Sequence, residues 1–342
     1  MDENIPVYPI GAEEPKRAVS SKKIMRYLLH IALFAATFFT TTLAGVLWLN
    51  KNPLELANFS YGLPYSISLL VILTAHEFGH FFAARAHGID TTLPFFIPFP
   101  PFMVNPFGSV GELIQLNPFG TMGAVIRIRS PLTSIRSLFD IGIAGPIAGL
   151  IPTILIFAYG LITLPSIEYL YAIHPEYRFL ATIPVGGLTF GNSILFLGVR
   201  QILPHSVFFP PMNEIYHYPY LCVGWFGFFV TALNLLPVGQ LDGGHVLYAL
   251  VRNRQAIVAK FFFGLLIVLG LTSLLPFFGL RVQFGTTGWL VWALILFFII
   301  KIAHPTVHDE TPLTRNRKIL GWAILVIFLL IFPPVPIYDL PV

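Results

Sequence analysis

A single cysteine, Cys222, stands in 342 residues. That excludes an intrachain disulfide framework and a Cys-rich zinc knuckle, so any metal site must be built from His, Asp or Glu. Charge is scarce as well. Asp, Glu, Lys and Arg make up 11% of the chain against 56% hydrophobic residues, and the mean hydropathy is +0.77. This balance exceeds what a soluble core and its polar surface need. No polar stretch is long enough for an inserted soluble module. The formal net charge of +4 does not argue for a nucleic-acid partner, because the basic residues are scattered between apolar segments. A cleavable signal peptide is not expected either: the first apolar run begins only near Met25, is long enough to span, and lacks a small-residue cleavage pattern. What is left is an integral membrane protein whose partner is the lipid bilayer.

A spanning helix needs about 20 mostly apolar residues. The candidates are 25–49, 61–84, 137–164, 219–236, 258–279, 285–303 and 319–336, which gives an all-α polytopic membrane protein of about seven transmembrane helices. Segment 179–203 is apolar but broken by Pro184, Gly186, Gly187, Gly191 and Asn192, and reads as a re-entrant or interfacial piece. The stretch 88–135 is too rich in Pro, Phe and Gly for a continuous helix and too apolar for a solvated loop. Within it, "GAVIRIRS" at 123–130 alternates with the period of a strand.

With seven spans and the N-terminus in the cytoplasm, sixteen of the twenty Lys and Arg residues fall on the cytoplasmic side. Lys51, Arg178, Arg200 and Arg281 are left outside, as the positive-inside rule favours. Four regions follow: a cytoplasmic tail at 1–24, a first helix and loop at 25–60, a catalytic membrane core at 61–252 and C-terminal helices at 253–342.

The chemistry is concentrated in "TAHEFGHFFAARAHG" at 74–88. His76 and His80 are four apart, so on a helix they share a face and can bind one metal ion, with Glu77 beside them. Two imidazoles leave a zinc site incomplete. The best third ligand is Asp242 in "ALNLLPVGQLDGGHVL" at 232–247, which follows the helix-ending Pro237 and Gly239. A break there lets the aspartate turn into a cavity within the membrane. In the seven-span arrangement the two halves of the site meet on the same side. A full span at 179–203 would put Asp242 on the opposite face from the histidines.

At "HEFGH", at "GAVIRIRSPLTSIRSLFDIGIAGPIAG" (123–149) and at "NLLPVGQLDGG" (234–244), the sequence resembles the site-2 protease family. These are intramembrane zinc metalloproteases, peptidase family M50, and the likeness is to the plant-plastid-like branch that shares "LPVGxLDGG". The resemblance covers about 61–252. It implies that His76, His80 and Asp242 ligate Zn2+, that Glu77 is the general base and acid, and that Asn234 lies near the substrate path. It also implies a short re-entrant β-element between helices two and three. Residues 124–129 are therefore expected to hold unwound substrate by strand addition, with Val125, Ile126 and Ile128 as substrate-binding positions. The implied substrate is a single-pass membrane protein cut in or near its transmembrane segment, in the plasma membrane of a prokaryote with the active site towards the cytoplasm. Many relatives carry a PDZ domain that this chain lacks, so membrane loops or another protein must select the substrate. The sequence does not specify an oligomeric state.

Other residues have plainer readings. His87 and His245 flank the motifs as supporting groups, since the metal already has three ligands. Asp140 complements the dipole at the start of the third helix. "AGPIAG" at 144–149 permits close helix packing, and the Phe-rich 95–107 stretch is an interfacial plug or gate. A divalent-ion transporter using the His/Asp cluster as a transit site is the competing function, but permeation has no need of Glu77 and no inverted repeat is visible.

Overall fold

The computed structural model describes residues 21–105, 113–131, 134–204, 206–279, 284–307, 309 and 311–340. Lys16, Arg17, Arg281 and part of the Phe-rich stretch lie outside these residues. Helices dominate: α1 (Ser21–Trp48), α2 (Leu63–Ala86), α3 (Ile135–Ile162), α4 (Ile167–Ile173), α5 (Ile194–Ile202), α6 (Pro219–Leu235), α7 (Asp242–Val251), α8 (Gln255–Thr272), α9 (Gly288–Ile295) and α10 (Arg315–Ile331). The strands are β1 (Phe95–Pro98), β2 (Phe102–Val104), β3 (Leu113–Gln115), β4 (Thr121–Val125), β5 (Gly187–Phe190) and β6 (Ile337–Leu340).

Four described stretches are long and apolar enough to cross a membrane: Lys23–Trp48, Leu56–Ala86, Ile135–Ile162 and Asp242–Thr272. The last is interrupted by a 3-10 turn at Arg252–Arg254, where Arg252 has φ +54. Pro219–Leu235 and Gly288–Ile300 are apolar but shorter. Segment 179–203 resolves into β5 and the nine-residue α5. At 1.5 Å per residue that helix is about 14 Å long and cannot cross a hydrocarbon core of about 30 Å.

The core is a bundle in which α3 packs against both α2 and α6. Small residues bring the backbones close. A Cβ on Gly79 of α2 would stand 2.8 Å from the Ala148 Cβ of α3, and one on Gly227 of α6 would stand 2.6 Å from Thr153 Oγ1. Between α1 and α2, Thr41 Oγ1 and Ser66 Oγ share a hydrogen bond of 2.6 Å, and Ser66 Oγ also donates to the Phe38 carbonyl, so the buried hydroxyls are satisfied within the bundle.

The described residues of 88–134 are strand and loop, as their Pro and Gly content dictates. β1 pairs antiparallel with β4, Phe95 opposite Val125 and Phe96 opposite Ala124, and β2 pairs with β3. The alternating run continues past β4: Ile128 bridges to Thr91. β5 pairs with β6, from Gly187 opposite Leu340 to Phe190 opposite Ile337.

Candidate metal centre

α2 carries His76 and His80 on its buried face, 7% exposed each, with Glu77 at 8%. The third group arrives from a break in the chain. α6 stops at Leu235, and Gly239 turns with φ +57 while its N–H donates to the Ile302 carbonyl. α7 then restarts at Asp242. The two glycines after Asp242 are required by this fold-back, because a Cβ on Gly243 would collide with the Leu235 carbonyl and one on Gly244 with that of Gly239. The L-D-G-G string is thus the shortest way to end one helix, cross beside its last turn and begin another with a carboxylate in the first turn.

His76 Nε2 lies 3.1 Å from His80 Nε2, and Asp242 Oδ2 lies 3.4 Å and 3.3 Å from the two. Two lone-pair-bearing nitrogens cannot face a carboxylate and each other at such distances without a proton or cation between them. Zinc bonds of 2.0–2.1 Å in tetrahedral geometry give ligand-to-ligand edges of about 3.3 Å. The donor set fits that ion. His80 Nδ1–H donates to the Ile141 carbonyl at 2.7 Å, which fixes the tautomer with a lone pair on Nε2 and holds the ring.

Room for the two rings is made by α3. A Cβ on Gly145 would collide with the His80 imidazole, and one on Gly149 would stand 3.0 Å from His76 Cβ. "AGPIAG", read from the sequence as packing alone, therefore shapes the site. The i, i+4 spacing of Gly145 and Gly149 matches that of the histidines and was the signal for it.

Asn234 reaches the site, its Nδ2 3.3 Å from His76 Nε2. The Ile126 backbone lies beside the Glu77 carboxylate. Val125 is half exposed on β4 opposite Phe95, and Ile128 packs with Ala84, Ile89 and Ile141. The amides of Arg127 and Arg129 donate to Thr92 Oγ1 and the Asp90 carbonyl, so those of Ile126 and Ile128 turn the other way.

One supporting residue differs from its sequence reading. Asp140 is not in the first turn of α3, which begins at Ile135. It accepts two hydrogen bonds of 2.8 Å from Arg317 and lies 2.9 Å from His87 Nε2. It ties α10 and the end of α2 to α3, so its role is a salt-bridged junction and not dipole compensation. His245 Nδ1 is 2.8 Å from His304 Nε2, and His304 stacks on Tyr248. His304 has no sequence motif; the structure alone brings it there.

A histidine pair on one helix, closed by an aspartate from a broken neighbour inside an apolar bundle, is a donor set of the metallopeptidase type. The sequence matches peptidase family M50 over residues 64–277, more than half of the chain, and the protein belongs to that family, the site-2 proteases. It is 30% identical over 283 residues to the "Probable zinc metalloprotease EGY1, chloroplastic" of Arabidopsis thaliana, covering 79% of this chain and 43% of that protein. To EGY2 of the same plant, described likewise as a probable chloroplastic zinc metalloprotease, it is 24% identical over 276 residues, 80% of this chain and 42% of the other. For EGY2 of Oryza sativa subsp. indica the figures are 26% over 336 residues, 96% and 54%. The chain spans about half the length of the curated relatives it matches. No solved structure matches it.

Proposed function

We propose that the protein is an intramembrane zinc metalloprotease that hydrolyses a peptide bond in or near a transmembrane segment of a single-pass membrane protein. The observation that carries this reading is the meeting of His76, His80 and Asp242 beside Glu77 among apolar helices, with His76, His80 and Glu77 buried and Asp242 partly so. His76, His80 and Asp242 would hold Zn2+. The chemistry the ion supplies when bound is polarisation of the scissile carbonyl and a lowering of the attacking water's pKa from 15.7 to about 7.

The remaining work belongs to side chains and backbone. Glu77 takes a proton from the water and later delivers it to the leaving amine. The Asn234 amide, beside His76, is placed to bond substrate backbone. A substrate helix hides its peptide groups in internal hydrogen bonds, so cleavage requires local unwinding and replacement partners. The edge from Ile126 to Ile128, whose amides point away from the 90–92 strand, would supply them by strand addition.

We further propose seven spans with the N-terminus and the metal centre towards the cytoplasm, on the sixteen-to-four division of basic residues. In support, Lys23, Arg26, Arg85 and Arg129 line one cavity of about 390 Å³ at a single end of the bundle. The expected prokaryotic plasma membrane belongs to the same proposal, although the named relatives are chloroplastic.

The test is comparative membrane proteomics of wild type and Glu77→Gln. The amide keeps the shape of the side chain but cannot accept a proton, so the variant should retain zinc while uncut membrane proteins accumulate. An unchanged membrane proteome together with metal-dependent cation flux would favour the transporter reading.

A further inference from the structure

At the far end of the bundle a second group of ligating atoms converges. His174 follows α4, and Glu214 and His217 lie in the turn that leads into α6. His174 Nε2 is 3.0 Å from His217 Nε2, and Glu214 Oε2 is 3.5 Å from His217 Nε2 and 3.8 Å from His174 Nε2. This place is distinct from the first centre. Along α3 the His76 contact at Gly149 and the contact with the start of α6 at Gly160 are eleven residues apart, about 16 Å of helix.

Each member is prepared for a cation. His217 Nδ1–H donates to the Trp48 carbonyl at 2.8 Å, and His174 Nδ1–H donates to Glu176 Oε1 at 3.0 Å. A ring whose Nδ1 carries the hydrogen has its lone pair on Nε2, and imidazoles backed by a carbonyl or a carboxylate are the usual arrangement of histidine metal ligands. Two lone pairs thus point at each other across 3.0 Å. Glu214 completes the group. Its Oε1 accepts from Tyr177 Oη and Asn213 Nδ2, each at 3.0 Å, whereas the buried Oε2 accepts no hydrogen bond among the described residues and faces the two rings. A point about 2.0 Å from all three ligand atoms lies inside this triangle, the bond length of zinc to imidazole nitrogen and carboxylate oxygen.

We infer that His174, Glu214 and His217 form a second divalent transition-metal site, best suited to Zn2+, with a fourth position for water. Burial alone makes the separate charges costly: it pushes the Glu214 carboxyl up and the His217 imidazole down to about 4. A cation removes the conflict, since it favours both the ionised carboxylate and the neutral imidazole. The ion would clamp the linker between α3 and α5 to the turn before α6. Through the Trp48 carbonyl the clamp reaches the end of α1.

Metal content of the purified full-length chain, dialysed against zinc and then metal-free buffer, tests this. Wild type should hold about two zinc ions, and His76→Ala/His80→Ala/Asp242→Ala should hold about one, because the two sites share no ligand. Adding His174→Ala, a residue whose side chain is 19% exposed and outside the packed core, should empty the triple variant. Glu214→Gln, which keeps the side chain's shape, should do the same, so the test does not depend on a variant that unfolds. In the triple variant zinc should also raise the melting temperature, and His174→Ala should abolish that rise. One ion in wild type and none in the triple variant would overturn the inference and point to a proton shared by the two rings. An ion that survives both His174→Ala and Glu214→Gln would overturn it too. A single ion in wild type that is kept in the triple variant but lost with His174→Ala would support this site while refuting the first.

Discussion

Replacing Gly145 by alanine asks whether the centre depends on space that α3 provides. The added methyl would collide with the His80 ring. That ring cannot retreat without loss, because its Nδ1 is bonded to the Ile141 carbonyl at 2.7 Å and its Nε2 faces Asp242 at 3.3 Å. Overfilling a packed site costs about 1–3 kcal/mol, and a displacement of about 1 Å in a catalytic group can cost about 100-fold in rate. Gly145→Ala should therefore lower zinc retention and reduce cleavage of a reconstituted substrate by about 100-fold, with the helical fold kept. Gly264→Ala in α8 is the control. Its Cβ would meet nothing within 4 Å, so ordinary helix propensity should make it neutral or slightly stabilising. Wild-type zinc content and turnover in Gly145→Ala would refute the argument, since no other feature of that position distinguishes it from the control.

Two further predictions concern topology and substrate. Reporter fusions after residues 90 and 255 should both register the cytoplasm and a fusion near 210 the opposite side; agreement between 210 and 255 would remove α6 as a span. Ile128→Pro deletes an amide that faces away from the 90–92 strand, so it should cut cleavage at least tenfold, about 1.4 kcal/mol, while zinc content is retained. Arg129→Pro breaks the bond to the Asp90 carbonyl and should act instead on melting temperature, and wild-type cleavage by Ile128→Pro would exclude strand addition at this edge.

The candidate metal centre was legible because its parts obey local rules. The spacing of His76 and His80 is a helix turn, and Pro237 with Gly239 announces a break before Asp242. The strand and loop structure of the described residues of 88–134 followed from composition in the same way. What escaped were the relations between elements. Nothing local says that Gly145 lies against His80, or that Asp140 meets an arginine from α10. His174 and His217 are forty-three residues apart on irregular segments with no period, so only the packed structure could bring them together. Span boundaries were hard for a related reason: hydropathy continues through the turn at Arg252–Arg254, and a window cannot tell a bent path from a straight one.

The final helix is fastened at both ends. At one, Arg317 grips Asp140 with two bonds of 2.8 Å; beyond the other, β6 is laced to β5 over four residue pairs. Ladder bonds contribute about 1 kcal/mol each and charged ones somewhat more, so swinging α10 outward would break several kcal/mol of contacts at two separated points at once. A rod pinned twice is a wall and not a door. Under the proposed function, a substrate helix arriving from the lipid would slip in along another flank of the bundle, and crosslinks that immobilise α10 should leave proteolysis untouched.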